Sequence, residues 1–167
     1  MSKTVAATID NDGLGQVMVR SLLIPLNGIW IVLPNTAVAE VTSFKSQEPV
    51  ADAPDWVLGR MTWRGRAIPS LAFEPLLGME AGIGGAHARA IVCNTLNANP
   101  DLPFLAIVAQ GIPHLQDLRA EMIETVSSDA EEISSIAGRL RLGEREVVIP
   151  NLDDLERQLL QSGIKVI

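Results

Sequence analysis

The sequence predicts a mainly β protein built from small barrels, and three features of its 167 residues point there. Short β-rich runs recur along the chain. They reverse at turn-forming pairs, Asn27-Gly28, Arg64-Gly65 and Gly143-Glu144. Only one segment, near the C-terminal end, carries a clear helical stripe. Many short strands with a few helical turns suit barrels better than a parallel α/β sheet, which alternates strands with helices.

Residues 1–15 are polar, lack a periodic apolar face and are expected to form a flexible tail, leaving 16–167 as the folded unit. VMVRSLLIP (17–25) and IWIVL (29–33) read as a hairpin, because Asn-Gly readily supplies the positive φ angles of a type I′ turn. Pro34-Asn35 ends the second strand, and TAVAEV, too short for a helix, is expected to give one turn leading into a strand near 41–44. QEPVADAPDWV, with Pro49 and Pro54, reads as a loop packed down by Trp56. Two strands, 59–63 and 66–71, then reverse at Arg64-Gly65, and residues 78–85 form a glycine-rich linker. HARAIVCNTL and PFLAIVAQ are two more strands, joined by NANPDL.

Between 112 and 126, Ile112, Leu115, Leu118, Met122 and Val126 have helix-compatible spacing. Pro113 and the β-branched residues downstream leave strand and turn equally open. Ser128-Asp129-Ala130-Glu131 has the form of a capping box and suggests a short helix to about Ile136. RLRLGEREVVIP (139–150) is a hairpin turning around Gly143-Glu144. The last segment sets Leu152, Leu155, Leu159 and Leu160 on one helical stripe, with Asn151 as N-cap and Asp153 and Asp154 in the first turn.

Composition narrows function by exclusion. Thirteen Lys and Arg against 20 Asp and Glu give a formal charge of −7, which repels phosphate backbones. No stretch approaches the ~20 apolar residues that span a bilayer, and no apolar run opens the chain, so a cytoplasmic protein without membrane insertion is expected. His87 and His114 stand apart from other metal-ligating residues, and Cys93, the one cysteine, lies in an apolar strand where a buried, inert thiol is the default. Neither a cofactor nor a metal is expected, nor catalysis. Trp56 and Trp63 are read as core or barrel-edge residues in preference to a binding platform. Arg64, at a turn, is a good recognition group because a guanidinium pairs bidentately with carboxylates.

The ordered set Val38-x-Glu40-Val41, Pro54-x-Trp56-Val57-x-Gly59 and Arg64-Gly65-x-x-Ile68-Pro69, with the hairpin and helix at 139–160, resembles the CheW-like adaptors of bacterial chemosensory systems. The resemblance covers residues 16–160. It implies two intertwined, SH3-like five-stranded β-barrels with a C-terminal helix and a hydrophobic groove between the barrels. It also implies a non-catalytic scaffold that couples the regulatory domain of a CheA-type histidine kinase to the cytoplasmic tip of a chemoreceptor, recruited to receptor arrays at the membrane. Carried over by position, Val38 faces the receptor groove, and Glu40 and Arg64 are the opposed acidic and basic residues of a partner-binding surface that includes Trp63. Gly59, Gly65 and Pro69 shape the loop and turn. Ala72 and Ala109 stand where the family usually has aspartate, and Trp63 where leucine is usual. These departures suggest an auxiliary adaptor, similar to the ChpC-like variety of pilus-linked systems. The alternative from a different class is a small-barrel nucleic-acid binder using Trp63, Arg64 and Arg66, which the net charge opposes.

Overall fold

A computed structural model describes residues 8–9, 17–45, 47–82, 84–122, 124–125 and 133–167. The strands in chain order are β1 (Thr8–Ile9), β2 (Val17–Pro25), β3 (Trp30–Pro34), β4 (Val38–Ser43), β5 (Val57–Trp63), β6 (Arg66–Leu71), β7 (Arg89–Asn94), β8 (Phe104–Ala109), β9 (His114–Arg119), β10 (Glu124–Thr125), β11 (Ile136–Leu142) and β12 (Arg145–Pro150). Helix α1 (Leu152–Gln161) follows. One sheet runs β1-β2-β3-β12-β11-β10 with β9 also on β2, so five longer strands carry it. The other runs β4-β7-β8-β6-β5. The chain begins the first barrel with β2 and β3, leaves it to build all of the second, and returns for β9 to β12. The two are therefore intertwined. The second barrel closes where Glu48 and Arg60 exchange backbone hydrogen bonds of 2.8 Å, drawing the chain after β4 against β5.

Strand alternation divides the apolar side chains between three clusters. Leu22, Ile24, Ile31, Leu33, Leu71, Ile91, Cys93, Leu105 and Ile107 face the space between the sheets and form the main core with Val148 and the helix residues Leu152, Leu155 and Leu159. The intervening residues fill the barrels: Met61, Trp63, Ile68, Ala90, Val92 and Ala106 in the second, Leu23, Val32, Leu118 and Val147 in the first. Strands buried on both faces explain why these runs read as continuously hydrophobic.

Asn151 caps α1, its side chain accepting the Asp154 N–H at 3.1 Å, and the leucine stripe is turned to the core as its spacing requires. All three turn pairs sit at hairpin tips. The first is not type I′, because only Gly28 takes a positive φ (79°); Asn27 instead donates through its side chain to the Glu80 carbonyl at 3.1 Å. Residues 35–37 make the expected single turn, but β4 starts at Val38, three residues earlier than the sequence suggests, because its pairing with β7 extends to Cys93.

Other readings change more. Of the segment taken as a tail, Thr8–Ile9 is a strand paired with Met18 and Val17, and the rest lies outside the described residues. The glycine-rich stretch does not link the barrels; it lies within the second, between β6 and β7. It is docked there by side chains, Gly82 N–H donating to buried Glu74 at 2.7 Å and Gly84 N–H to Gln110 at 3.2 Å. The ambiguous segment is strand β9, registered on β2 from Leu23 to Met18, so the available sheet edge overrides the helical spacing. Ser128-Asp129-Ala130-Glu131 falls outside the described residues.

Candidate protein-recognition site

Arg64 and Gly65 have φ of 48° and 75°, and Trp63 pairs with Arg66 across them. Two consecutive positive φ values define the tight, twisted turn that joins antiparallel strands in two residues. Gly65 is needed for that conformation alone, since a Cβ there would meet nothing within 4 Å. Gly59 is constrained differently: at φ 151°, an added Cβ would stand 2.3 Å from the Glu48 carbonyl oxygen. It permits the close approach that closes the barrel. Pro69 is buried in β6 opposite Arg60, ahead of the short parallel pairing with β8.

Closure brings β4 beside β5 and so gathers three of the expected residues. The Trp63 indole N–H donates to Glu40 Oε2, and Arg64 Nη2 lies 3.8 Å from Glu40 Oε1. The Arg64 guanidinium also covers the Trp63 ring, 4.7 Å from its centroid. Beneath, Phe104 meets the same ring edge-on at 4.8 Å. Glu40 thus accepts from a buried donor on one oxygen and attracts a solvent-exposed cation on the other. The Arg64 side chain remains 65% exposed, free to exchange its intramolecular partner for an external one.

Trp63 itself is only 7% exposed, as is Trp56. Trp63 therefore supports the surface from below, and the stacking platform that a nucleic-acid binder would need is absent from it. Arg66 is exposed one residue past the turn.

Val38 is half-buried and lies apart from that trio, opposite Cys93 on β7. Directly opposed residues of an antiparallel pair share a face. Val38 and Val41, opposite Cys93 and Ile91, therefore extend the inter-sheet core outward, and Leu115, opposite Leu22, does so from the other sheet. Val41 and Leu115 are 40% and 66% exposed, so each sheet presents an apolar side chain to solvent.

Sequence reasoning missed Phe104 and the Glu48–Arg60 bridge, both products of long-range pairing. Cys93 is fully buried, which pushes its thiol up to about 12, as expected of a core cysteine. Ala72 and Ala109 are buried too, Ala109 within the main core. No helix among the described residues is long and apolar enough to cross a membrane.

Residues 20–159 match the family model for the CheW-like domain. The structure is similar to the crystal structure of the scaffolding protein TtCheW from Thermoanaerobacter tengcongensis, with a TM-score of 0.71 over 87% of this chain and 92% of that one, at 15% identity. At that identity the likeness speaks for the fold. No curated protein matches the chain.

Proposed function

The chain belongs to the CheW-like domain family, and from that premise we propose that it is a non-catalytic chemosensory adaptor coupling a CheA-type histidine kinase to chemoreceptors. The observation that carries this reading is the Glu40–Trp63–Arg64 arrangement: an exposed guanidinium held at a hairpin tip by a carboxylate and an aromatic face. Such a group is pre-oriented for a partner carboxylate, and pre-orientation lowers the entropy cost of binding. Val38, Val41 and Leu115 provide apolar surface suited to a helical receptor tip. Arg64 and Glu40 take part in partner contact and Trp63 holds them in place, while Gly59, Gly65 and Pro69 shape the tip. The protein acts in the cytoplasm, at receptor arrays, as an auxiliary adaptor of the pilus-linked kind. Ala72 and Ala109 offer no carboxylate to the kinase, so its affinity for the kinase domain is lower than that of adaptors carrying aspartate there.

Calorimetric titration against a receptor-tip fragment and a kinase regulatory domain tests the reading. Saturable 1:1 binding to at least one is expected. Binding to neither, together with a gel shift of DNA or RNA at low salt, would overturn it.

A further inference from the structure

Among the described residues, no strand pairs with the distal half of the β5–β6 hairpin on its β6 edge. The parallel pairing of β6 with β8 covers only Ser70 and Leu71, leaving Arg66 to Pro69 beyond it. That edge is occupied by residues 165–167. Ala67 N–H donates to the Ile167 oxygen at 2.9 Å, and Ile167 N–H donates back to the Ala67 carbonyl at 3.0 Å. One residue earlier, Val166 packs against the cluster that holds Met61, Trp63 and Ile68. One further, the Lys165 carbonyl accepts from Arg60 Nε at 3.0 Å. Three consecutive residues thus touch three levels of the hairpin, the last of them one residue beyond Arg66, the partner of Trp63.

The segment is anchored at its other side. Ile164 is buried in the main core, and its N–H donates to the Leu159 carbonyl at the end of α1. Val166 N–H donates to the Asp101 carbonyl at 2.9 Å, and Lys165 Nζ lies 3.6 Å from the Asp101 carboxylate. Residues 164–167 therefore tie the helix and the loop before β8 to the hairpin that carries Arg64.

We propose that residues 165–167 are a positioning strap, which holds the tip of the β5–β6 hairpin in the geometry at which Arg64 meets its partner. A hairpin bonded on one edge frays and twists at its tip. The strap supplies the missing bonds on the second edge and an apolar side chain against the underside of Trp63's cluster. Ile167 contributes through its backbone, since its side chain is 76% exposed. The inference rests on the adaptor reading for its binding consequence, though not for its structural one.

Ile167→Pro tests it on the full chain, because proline removes the N–H given to Ala67; Ile167→Ala keeps that bond and serves as the control. The measurements are amide exchange at Ala67, the NMR position of the Trp63 indole N–H, and affinity for a receptor-tip fragment and for a kinase regulatory domain. With Ile167→Pro we expect Ala67 to exchange about tenfold faster, the indole signal to move, and affinity to fall about tenfold, against little change in Tm. Ile167→Ala should match the unaltered chain. Unmoved signals with Ile167→Pro, or moved signals with unchanged affinity, would overturn the strap. If the unaltered chain binds neither fragment, the adaptor reading falls, and the Ala67 and Trp63 signals alone then decide whether the tip is strapped.

Discussion

Trp63 and Glu40 meet across the closing seam of the second barrel, the indole N–H donating to a carboxylate that also faces Arg64. The two residues lie on the edge strands of one sheet, β4 and β5, and their contact marks where those edges come together. One carboxylate therefore serves two purposes: it satisfies a buried donor and it orients an exposed cation.

Arg64→Glu should separate those purposes. The Arg64–Glu40 pair is solvent-exposed and worth about 0–1 kcal/mol, so thermal melts should change little. An arginine hot spot contributes roughly 2 kcal/mol or more, and charge reversal adds repulsion, so affinity for the partners should drop at least about thirtyfold. A variant that melts and binds like the unaltered chain would remove Arg64 from the surface. Combining it with Glu40→Arg should not restore binding fully, because the new arginine gives the Trp63 N–H nothing to donate to.

Trp63→Phe keeps an aromatic ring against Phe104 while deleting the donor. A hydrogen bond to a charged group contributes about 1.5–3 kcal/mol, and the smaller ring leaves a gap, so stability should fall by about 2 kcal/mol in urea titrations. An unchanged denaturation midpoint would show that the bond to Glu40 contributes nothing to the fold.

Gly59→Ala should be among the most damaging substitutions in the chain. A left-handed φ and a Cβ aimed at the Glu48 carbonyl combine strain with a clash, together about 2–4 kcal/mol. The protection of the Glu48 and Arg60 amides from exchange should be lost first, because their bridge must open to make room.

Asp154 links stability to pH. Burial alone would raise its pKa, but hydrogen bonds from Gln158, Arg157, Ser134 and Ser135 outweigh that and leave it below the ordinary 3.8. The ionised group therefore stabilises the fold above that pH, and its contribution is lost as pH falls through the lower folded-state value. Asp154→Asn should cost about 1–3 kcal/mol near neutrality and progressively less below pH ~4, read from denaturation midpoints across that range. A cost that does not vary with pH would refute the assignment.

Cys93 should resist alkylation at neutral pH in the native protein and react promptly once unfolded, since its thiol is pushed up to about 12. Rapid native-state labelling would show that the thiol is not held in the core.

The local features of this protein are legible in short runs of its residues. Asn151 and the leucine spacing define α1 because capping and periodicity act within a few residues. Turn pairs located the three hairpins for the same reason, and Arg64-Gly65 identified the exposed tip. The ordered motifs around Val38, Glu40, Trp56 and Arg64 carried the family likeness. Long-range packing set what depends on chain segments meeting from afar. It chose strand for 114–119, one of the readings left open between helix, strand and turn, because β2 had an edge to bond. It turned a glycine-rich linker into a loop docked on Glu74 and Gln110, since one buried carboxylate and one amide needed backbone donors. It buried Trp63 under Arg64, and it laid Ile167 on Ala67, 100 residues away in the chain. Barrel closure joins the edges of a sheet whose strands are distant in sequence, and no local preference specifies which edge residues then stand opposite one another.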